Sequence, residues 1–417
     1  MPRLHPGLRL GFNLLYTLLW CMAGPALFLW TRMRLGWKER LGLNLPGPAE
    51  IWVQGASAGE CALVDSLVRH LPDCSILATT CTAQGREVLE RIQDKQGLAI
   101  RMFPLDLPLL QRRMLECVRP RVVILLETEI WPGLLLSCAA LAIPVVFINA
   151  RMSSASLAGY LWLRPLLAAC APAAIGAISP ADALRFRLVF GPVQTRVTGN
   201  IKFDRALGTP FLDRKDNPLA ALIPQDAPFL VLGSVRQEEE SMVLTLLQSL
   251  LTEQPDCVVG IFPRHMSRIQ AWADRLAMAR IPSVLRSELG TAATPGSVVL
   301  WDRFGELGMV YGLASRAFVG GSLARLGGQN FLEPLAQGVL PVVGPHTRNF
   351  DWVGDGIFEN LVFRNADISK LAKELVKPAP SRPAVRDRAL AYIRSRQGAT
   401  AASAALIIHH FPRSSHA

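Results

Sequence analysis

Three acidic residues and a set of glycine-bearing loops carry most of the chemistry open to this sequence. Glu127 and Glu129 close a strongly apolar run, Val122-Val123-Ile124-Leu125-Leu126, and precede Ile130-Trp131-Pro132, so they are poorly explained as solvated surface charges. Alternate residues of a strand share a face, so the pair is expected to point the same way, with at least one orienting substrate or exchanging a proton. Glu60 ends the stretch Gln54-Gly55-Ala56-Ser57-Ala58-Gly59-Glu60, whose small residues let a ligand approach the backbone. An acid there equally suits a helix N-terminus. Asn149-Ala150-Arg151 adds a polar cluster after another apolar run. Further along, Phe262-Pro263-Arg264-His265, Gly320-Gly321-Ser322 and Gly327-Gly328-Gln329-Asn330 are loops that can cradle phosphate on backbone N–H groups, with Arg264 as a charge-assisted partner. Glycine pairs also mark tight turns, so it is the number of such loops in one half of the chain that suggests a nucleotide-binding half and an acceptor-binding half.

The absent patterns narrow the chemistry. There is no GxxxxGK[ST] loop of a nucleotide triphosphatase, and no GxGxxG follows the first apolar run, as a dinucleotide oxidoreductase would require. No paired aspartates follow a strand, no His, Cys and Asp residues stand at metal-ligand spacing, Asp204 and Asp302 are isolated, and His409-His410 falls near the C-terminus. The chemistry is expected to proceed without a bound metal.

The elements that must position these residues follow from periodicity. Apolar runs of strand length at 51–54, 75–79, 101–103, 122–126 and 144–148 are each followed by helical spacing, such as Leu63, Leu67 and His70. A loop rich in Pro, Asp and Gly near 204–227 separates them from a second series at 229–232, 258–262, 283–285, 298–301, 317–319 and 340–343. Alternation of this kind predicts an α/β chain with two doubly wound parallel sheets, in which ligands bind at the carboxyl ends of the strands. The polar clusters fall there. A length of 417 residues suits two domains of comparable size facing a cleft.

With 50% apolar and 18% charged residues the chain is not disordered. Residues 10–30 contain no charge, and Tyr16, Trp20, Phe28 and Trp30 suit an interface, so this stretch is expected to be a membrane-anchor helix, spanning or lying in the bilayer surface. Arg32, Arg34, Lys38 and Arg40 follow it, which places the rest of the chain in the cytoplasm by the positive-inside rule. No small-x-small site indicates a cleaved signal. The net charge of +11 suits anionic lipid head groups or a phosphorylated lipid, and no basic run or zinc-finger spacing points to nucleic acid. Eight cysteines without a CxxC pair read as reduced, buried small residues.

The ordered motifs together resemble the Kdo (3-deoxy-D-manno-octulosonic acid) transferases of lipopolysaccharide biosynthesis. The series runs through Ala56-Ser57-Ala58-Gly59-Glu60, Glu127-Thr128-Glu129-Ile130-Trp131-Pro132, Asn149-Ala150-Arg151-Met152-Ser153 and Gly199-Asn200-Ile201-Lys202-Phe203-Asp204. It continues through Pro263-Arg264-His265, Gly305-Glu306-Leu307, Phe318-Val319-Gly320-Gly321-Ser322-Leu323, Asn330-Phe331-Leu332-Glu333-Pro334 and Gly344-Pro345-His346-Thr347. The resemblance implies a GT-B enzyme of family 30 type, inverting and metal-independent. It would have no cofactor beyond its donor substrate CMP-Kdo and would act on the lipid A precursor, lipid IVA, at the cytoplasmic face of the inner membrane. Glu60 would be the general base, and Glu129 and Lys202 would stabilise the transition state. Pro263, Arg264, Phe304, Gly305, Glu306, Asn330, Phe331, Leu332 and Glu333 would hold CMP.

The implied organisation is an anchor with basic flank at 1–44, an acceptor-binding Rossmann-like domain at 45–204, a linker at 205–226, a CMP-sugar-binding Rossmann-like domain at 227–385, and a C-terminal helix and tail at 386–417. Several positions depart from the family pattern: Gln54 and Gln329 stand where His is usual, Val235-Arg236-Gln237 replaces Thr-His-Glu, Phe304 replaces Met, and Phe331 is bulkier than expected. A transferase for another CMP-activated sugar and a catalytically idle membrane-bound relative therefore stay open beside the main reading, and intact Glu60 speaks against the idle one. A GT-B epimerase or UDP-sugar transferase fits the Asn330 to Pro334 motif less well.

Overall fold

The run Val122–Leu126 forms a strand with every residue buried, Val123 and Leu125 entering one apolar core and Val122, Ile124 and Leu126 another. A strand covered on both faces is continuously apolar, as parallel sheets require. The computed structural model describes residues 11, 14–18, 20, 22, 35–96, 98–206 and 211–411. They divide into two compact units, residues 1–204 with 396–417, and residues 205–395.

Unit 1 holds β1 (Ile51–Gln54), β2 (Ile76–Thr80), β3 (Ala99–Met102), β4 (Val122–Leu126), β5 (Val145–Ala150), β6 (Ala174–Ala177) and β7 (Gln194–Val197), paired in parallel in the order β3-β2-β1-β4-β5-β6-β7. The order reverses between β1 and β4, and at such a switch point the following loops part to leave a crevice at the carboxyl edge. Helix α1 (Ala58–Val68) leaves β1 there, and α2 (Pro132–Ala140) follows β4. Helix α3 (Ala399–His410) returns to this unit late in the chain and buries Ala399, Leu406 and Ile407 against the core that contains Ile148 and Ile201. The preceding helix, Arg382–Arg394, belongs to unit 2, so the 386–417 stretch is two helices rather than one.

Unit 2 repeats the design with β8 (Phe229–Val235), β9 (Val258–Pro263), β10 (Ser283–Leu285), β11 (Val298–Leu300), β12 (Arg316–Val319), β13 (Pro341–Val343) and β14 (Phe363–Arg364), parallel in the order β10-β11-β9-β8-β12-β13-β14. Leu230 and Leu232 of β8 face one core, Phe229 and Val231 the other. Its switch point lies between β8 and β12.

The expected membrane-anchor helix is overturned. No helix among the described residues is long and apolar enough to cross a membrane. The expected anchor, and the inner-membrane placement that rested on it, find no such helix among the described residues to rest on. Most of the 10–30 stretch lies outside the described residues. Where it is described, residues 14–18 are helical and the Tyr16 hydroxyl donates to the buried Asp106 carboxylate at 2.8 Å, a polar tether to unit 1. Asp106 also accepts from the N–H groups of Gly133 and Leu134, both at 2.8 Å, and so satisfies the start of α2.

Asp204 performs the same service for α3. Its carboxylate accepts from Gly398 N–H at 2.7 Å, Thr400 N–H at 2.7 Å and the Thr400 hydroxyl at 2.5 Å, joining the chain beside Lys202 to a helix nearly two hundred residues later. Replacing Asp204 with Ala leaves those donors unpaired and is expected to destabilise unit 1 by about 1–2 kcal/mol, the usual cost of losing a helix cap. Urea unfolding followed by tryptophan fluorescence measures it, and an unchanged midpoint contradicts the capping role.

Candidate active site

At the end of β1 the chain turns through Gly55, where an added Cβ would stand 3.2 Å from Glu60 Cβ and 3.3 Å from the Cys61 nitrogen. That close approach lets Ser57 cap α1. Ser57 Oγ accepts from Glu60 N–H at 3.4 Å, and Ser57 N–H donates to Glu60 Oε2 at 2.7 Å. The capping role of Glu60 is therefore real, but it uses one carboxylate oxygen. No hydrogen bond reaches Oε1 from the described residues, which leaves it able to take a proton.

Glu127 and Glu129 do not share a strand face as expected. The strand stops at Leu126, and Glu127 adopts φ +55°, a left-handed conformation that ends the alternation. Glu127 is buried, and its carboxylate accepts from Lys202 Nζ at 2.7 Å and Arg151 Nε at 2.6 Å. Glu129 turns elsewhere, accepting from Gln54 Nε2 at 3.1 Å and Trp131 Nε1 at 2.8 Å. Gln54 is fully buried and accepts from the Thr79 hydroxyl at 2.6 Å, so its amide presents the donor side to Glu129. Asn149, at φ +53° near the end of β5, accepts Ile201 N–H at 2.9 Å and so sets the turn that carries Lys202.

These groups form one electrostatic cluster. Burial pushes the Glu60 carboxyl up, the charge of Glu127 adds to the rise, and Ser57 N–H and Arg151 oppose it. Glu129 is pushed up to about 7 by burial first and by Glu60 second, against the hydrogen bonds from Gln54 and Trp131. Lys202 touches Glu127 at hydrogen-bond distance, whereas the polar partners of Glu129 are Gln54 and Trp131.

Unit 2 carries a cavity of ≈ 390 Å³ at the carboxyl ends of β8, β9, β11 and β12. Of the residues singled out from sequence, Pro263, Arg264, Phe304, Gly305, Asn330 and Glu333 line it. Glu333 is pushed up by burial against the Asn330 amide, which donates at 2.9 Å, and the Arg264 charge. Three others do not line the cavity. The Glu306 carboxylate is held by Arg286 Nε and Nη2 at 3.0 and 3.2 Å and by Trp301 Nε1 at 2.7 Å. Phe331 is fully buried against Phe350 and Phe358, and Leu332 is buried beside it.

The glycine loop after β12 is not an open phosphate cradle. The N–H groups of Gly321, Ser322 and Leu323 all donate to the buried Glu239 carboxylate, the latter two at 3.2 and 3.1 Å. Gln329 N–H is spent on Gly320 O at 2.9 Å. The cavity instead offers the side chains of Arg264 and of Arg303, which sequence reasoning passed over because a single arginine between Asp302 and Phe304 follows no pattern. Arg151 was visible within a polar cluster, but nothing in its neighbourhood announced Glu127 as its partner. Among the described residues no group of three His, Cys, Asp or Glu side chains is arranged to hold a metal.

The sequence profile described as 3-Deoxy-D-manno-octulosonic-acid transferase (kdotransferase) matches residues 35–205. A 3-deoxy-D-manno-octulosonic acid transferase of Haemophilus influenzae is 34% identical over 333 residues, which cover 76% of each chain. One from Bordetella pertussis is 33% identical over 380 residues, covering 87% of this chain and 88% of the relative. The chain belongs to the 3-deoxy-D-manno-octulosonic acid transferase family. Membership makes it a sugar-transferring enzyme. The UDP-GlcNAc 2-epimerase of Neisseria meningitidis bound to UDP-GlcNAc superposes with a TM-score of 0.55 over 86% of this chain and 98% of that one; at 12% identity this likeness concerns the GT-B-like fold alone.

For this family member Gln54, one of the departures from the usual pattern, is one of the two residues that donate to Glu129, the other being Trp131. The raised carboxyl beside it has a measurable consequence. A carboxyl whose folded pKa lies above its unfolded value contributes stability at low pH that is lost as pH rises. The wild type is expected to lose stability relative to Glu129→Gln as pH climbs from about 4.5 to about 7. Chemical unfolding of both proteins across that range tests this, and a constant difference in stability would show that Glu129 ionises as an ordinary acid.

Proposed function

We propose that the protein moves Kdo from CMP-Kdo to the lipid A precursor, lipid IVA, by direct inverting displacement that needs no metal ion. Family membership supports the transferred sugar. The observation that carries the reading is Glu60, a carboxylate with a raised proton affinity, one oxygen anchored by Ser57 N–H and the other unengaged. A base of this kind is matched to a hydroxyl that becomes acidic only as it attacks.

In this reading the acceptor hydroxyl oxygen attacks the anomeric carbon and its proton passes to Glu60 Oε1. The bond from that carbon to the phosphate oxygen breaks, and the electron pair leaves with CMP. Glu129 and Lys202 stabilise the transition state from the same edge of the sheet. Arg264 and Arg303 balance the charge of the departing phosphate, with Pro263, Phe304, Gly305, Asn330 and Glu333 shaping the cavity around CMP. Glu306, Phe331 and Leu332 contribute through main chain and packing, since the Glu306 carboxylate is committed to Arg286 and both apolar side chains are buried.

Purified protein and its Glu60→Gln variant, incubated with CMP-Kdo and tetraacylated lipid A precursor, test the reading by mass spectrometry. The wild type is expected to add Kdo whether or not EDTA is present. The variant should lose about 10²–10⁴-fold in kcat, as loss of a positioned base does, while melting at the wild-type temperature. CMP binding without product from the wild type would sink the Kdo assignment, and loss of activity in EDTA restored by a divalent cation would sink its metal independence.

A further inference from the structure

Glu127 has no part in the mechanism above, yet of the three carboxylates in the unit 1 site it is the most enclosed, its side chain 3% exposed. Its two oxygens hold two different cations, Lys202 on Oε1 and Arg151 on Oε2. The backbone is strained to make this possible. Glu127 and Asn149, at the ends of the adjacent strands β4 and β5, both take left-handed conformations at φ +55° and +53°, which cost a non-glycine residue about 1–2 kcal/mol each. Asn149 then fixes Ile201, next to Lys202, and the Thr128 hydroxyl donates to the carbonyl oxygen of Arg151. Burying a carboxylate between cations is a poor route to stability, because desolvation consumes most of the attraction. Strain and buried charge gathered at one strand edge point to function.

We propose that Glu127 is the positioning residue of the site, holding the Lys202 ammonium and the Arg151 guanidinium in place beside Glu60 and Glu129. Each Glu127 oxygen is committed to one cation, so neither cation is free to turn away from the sheet edge. The lysine, 25% exposed, is turned by its partner rather than left to sample the rotamers of a free chain. The inference rests on the reading of Glu60 and Lys202 as groups that act on the reacting atoms. Glu127 touches neither substrate; it acts through Lys202 and Arg151.

The two arms of the brace act on Glu60 in opposite directions, Glu127 raising its proton affinity and Arg151 lowering it. That gives a signature a merely structural role would not produce. Kinetics with CMP-Kdo and the lipid acceptor are measured for Glu127→Gln, Arg151→Met, Lys202→Met and the Glu127→Gln/Lys202→Met double variant. Glu127→Gln is expected to lose about 100-fold in kcat, as displacement of a reacting group by about 1 Å does, with donor KM unchanged. Its acid limb in kcat/KM should move to lower pH, whereas that of Arg151→Met should move to higher pH. The double variant should be no slower than the slower single variant, since Glu127 works through Lys202.

Unchanged kcat and pH profile in folded Glu127→Gln, or losses that multiply in the double variant, overturn the proposal. Should Glu127→Gln fail to fold, the half-exposed Arg151→Met carries the test, and an acid limb that stays in place overturns it. If the wild type transfers no Kdo, the functional reading fails while the brace is still decided by ¹³C NMR of reductively methylated Lys202. Its resonance moves in Glu127→Gln or Arg151→Met if the brace holds it, and a resonance that stays put in both overturns the brace.

Discussion

A parallel sheet ends each strand at a loop whose main-chain donors have lost their neighbours, and carboxylates meet that constraint throughout this protein. Asp106 receives the first N–H groups of α2, Asp204 those of α3, and Glu60 the N–H of Ser57 ahead of α1. In unit 2, Glu239 gathers three consecutive N–H groups of the loop after β12 together with Arg236 N–H. The loops that would build a ligand site are thus held by internal anions. On the proposed reading, a nucleotide phosphate is met by side chains such as Arg264 and Arg303, which line the cavity, rather than by a bare backbone nest.

The same constraint sorts the carboxylates by role. Glu239 is enclosed by N–H donors on every side and serves as a fixed anion of the fold. Glu129 receives only two donors at a half-buried position, and loss of water wins, lifting its carboxyl to about 7. Glu60 lies between, anchored through one oxygen and raised by burial and by Glu127. Residues of one type become structural or reactive according to how many donors reach them and how much water is removed. For Glu60 those two amounts are set by Gly55, whose missing side chain brings the helix start against the strand end.

Much of this order was legible in the sequence because it is periodic or local. The apolar runs that became β1, β4, β8 and β9 are covered on both faces and so read without ambiguity. β6 was not legible, since Ala-Ile-Gly-Ala has little strand character until neighbouring strands enclose it, and β7, Gln-Thr-Arg-Val, is a partly exposed strand at the edge of its sheet. The alternation argument for Glu127 and Glu129 failed where one residue left the extended region, a choice set by cations far away in the chain. Tyr16 shows the opposite error, because an apolar composition says that a segment avoids water without saying what its residues lie against, and the Tyr16 hydroxyl lies against Asp106.

The long-range partners explain why the departures from the family pattern need not reach the reaction itself. Gln54 stands where a histidine is usual, and its amide places a donor on Glu129 and on Cys81 Sγ and an acceptor on Thr79. An amide does this with fixed charge, whereas an imidazole would add a second titrating group beside Glu129 and Glu60. Phe331, bulkier than the pattern expects, is absorbed by packing at an angle against Phe350 and edge-on against Phe358, and does not line the cavity. Phe304 is different: it is 84% exposed and lines the cavity, so it offers an aromatic face where the family usually has a flexible thioether. Of the departures, that one bears most directly on how tightly a nucleotide is held, because a ring can stack on a base for about 1–3 kcal/mol.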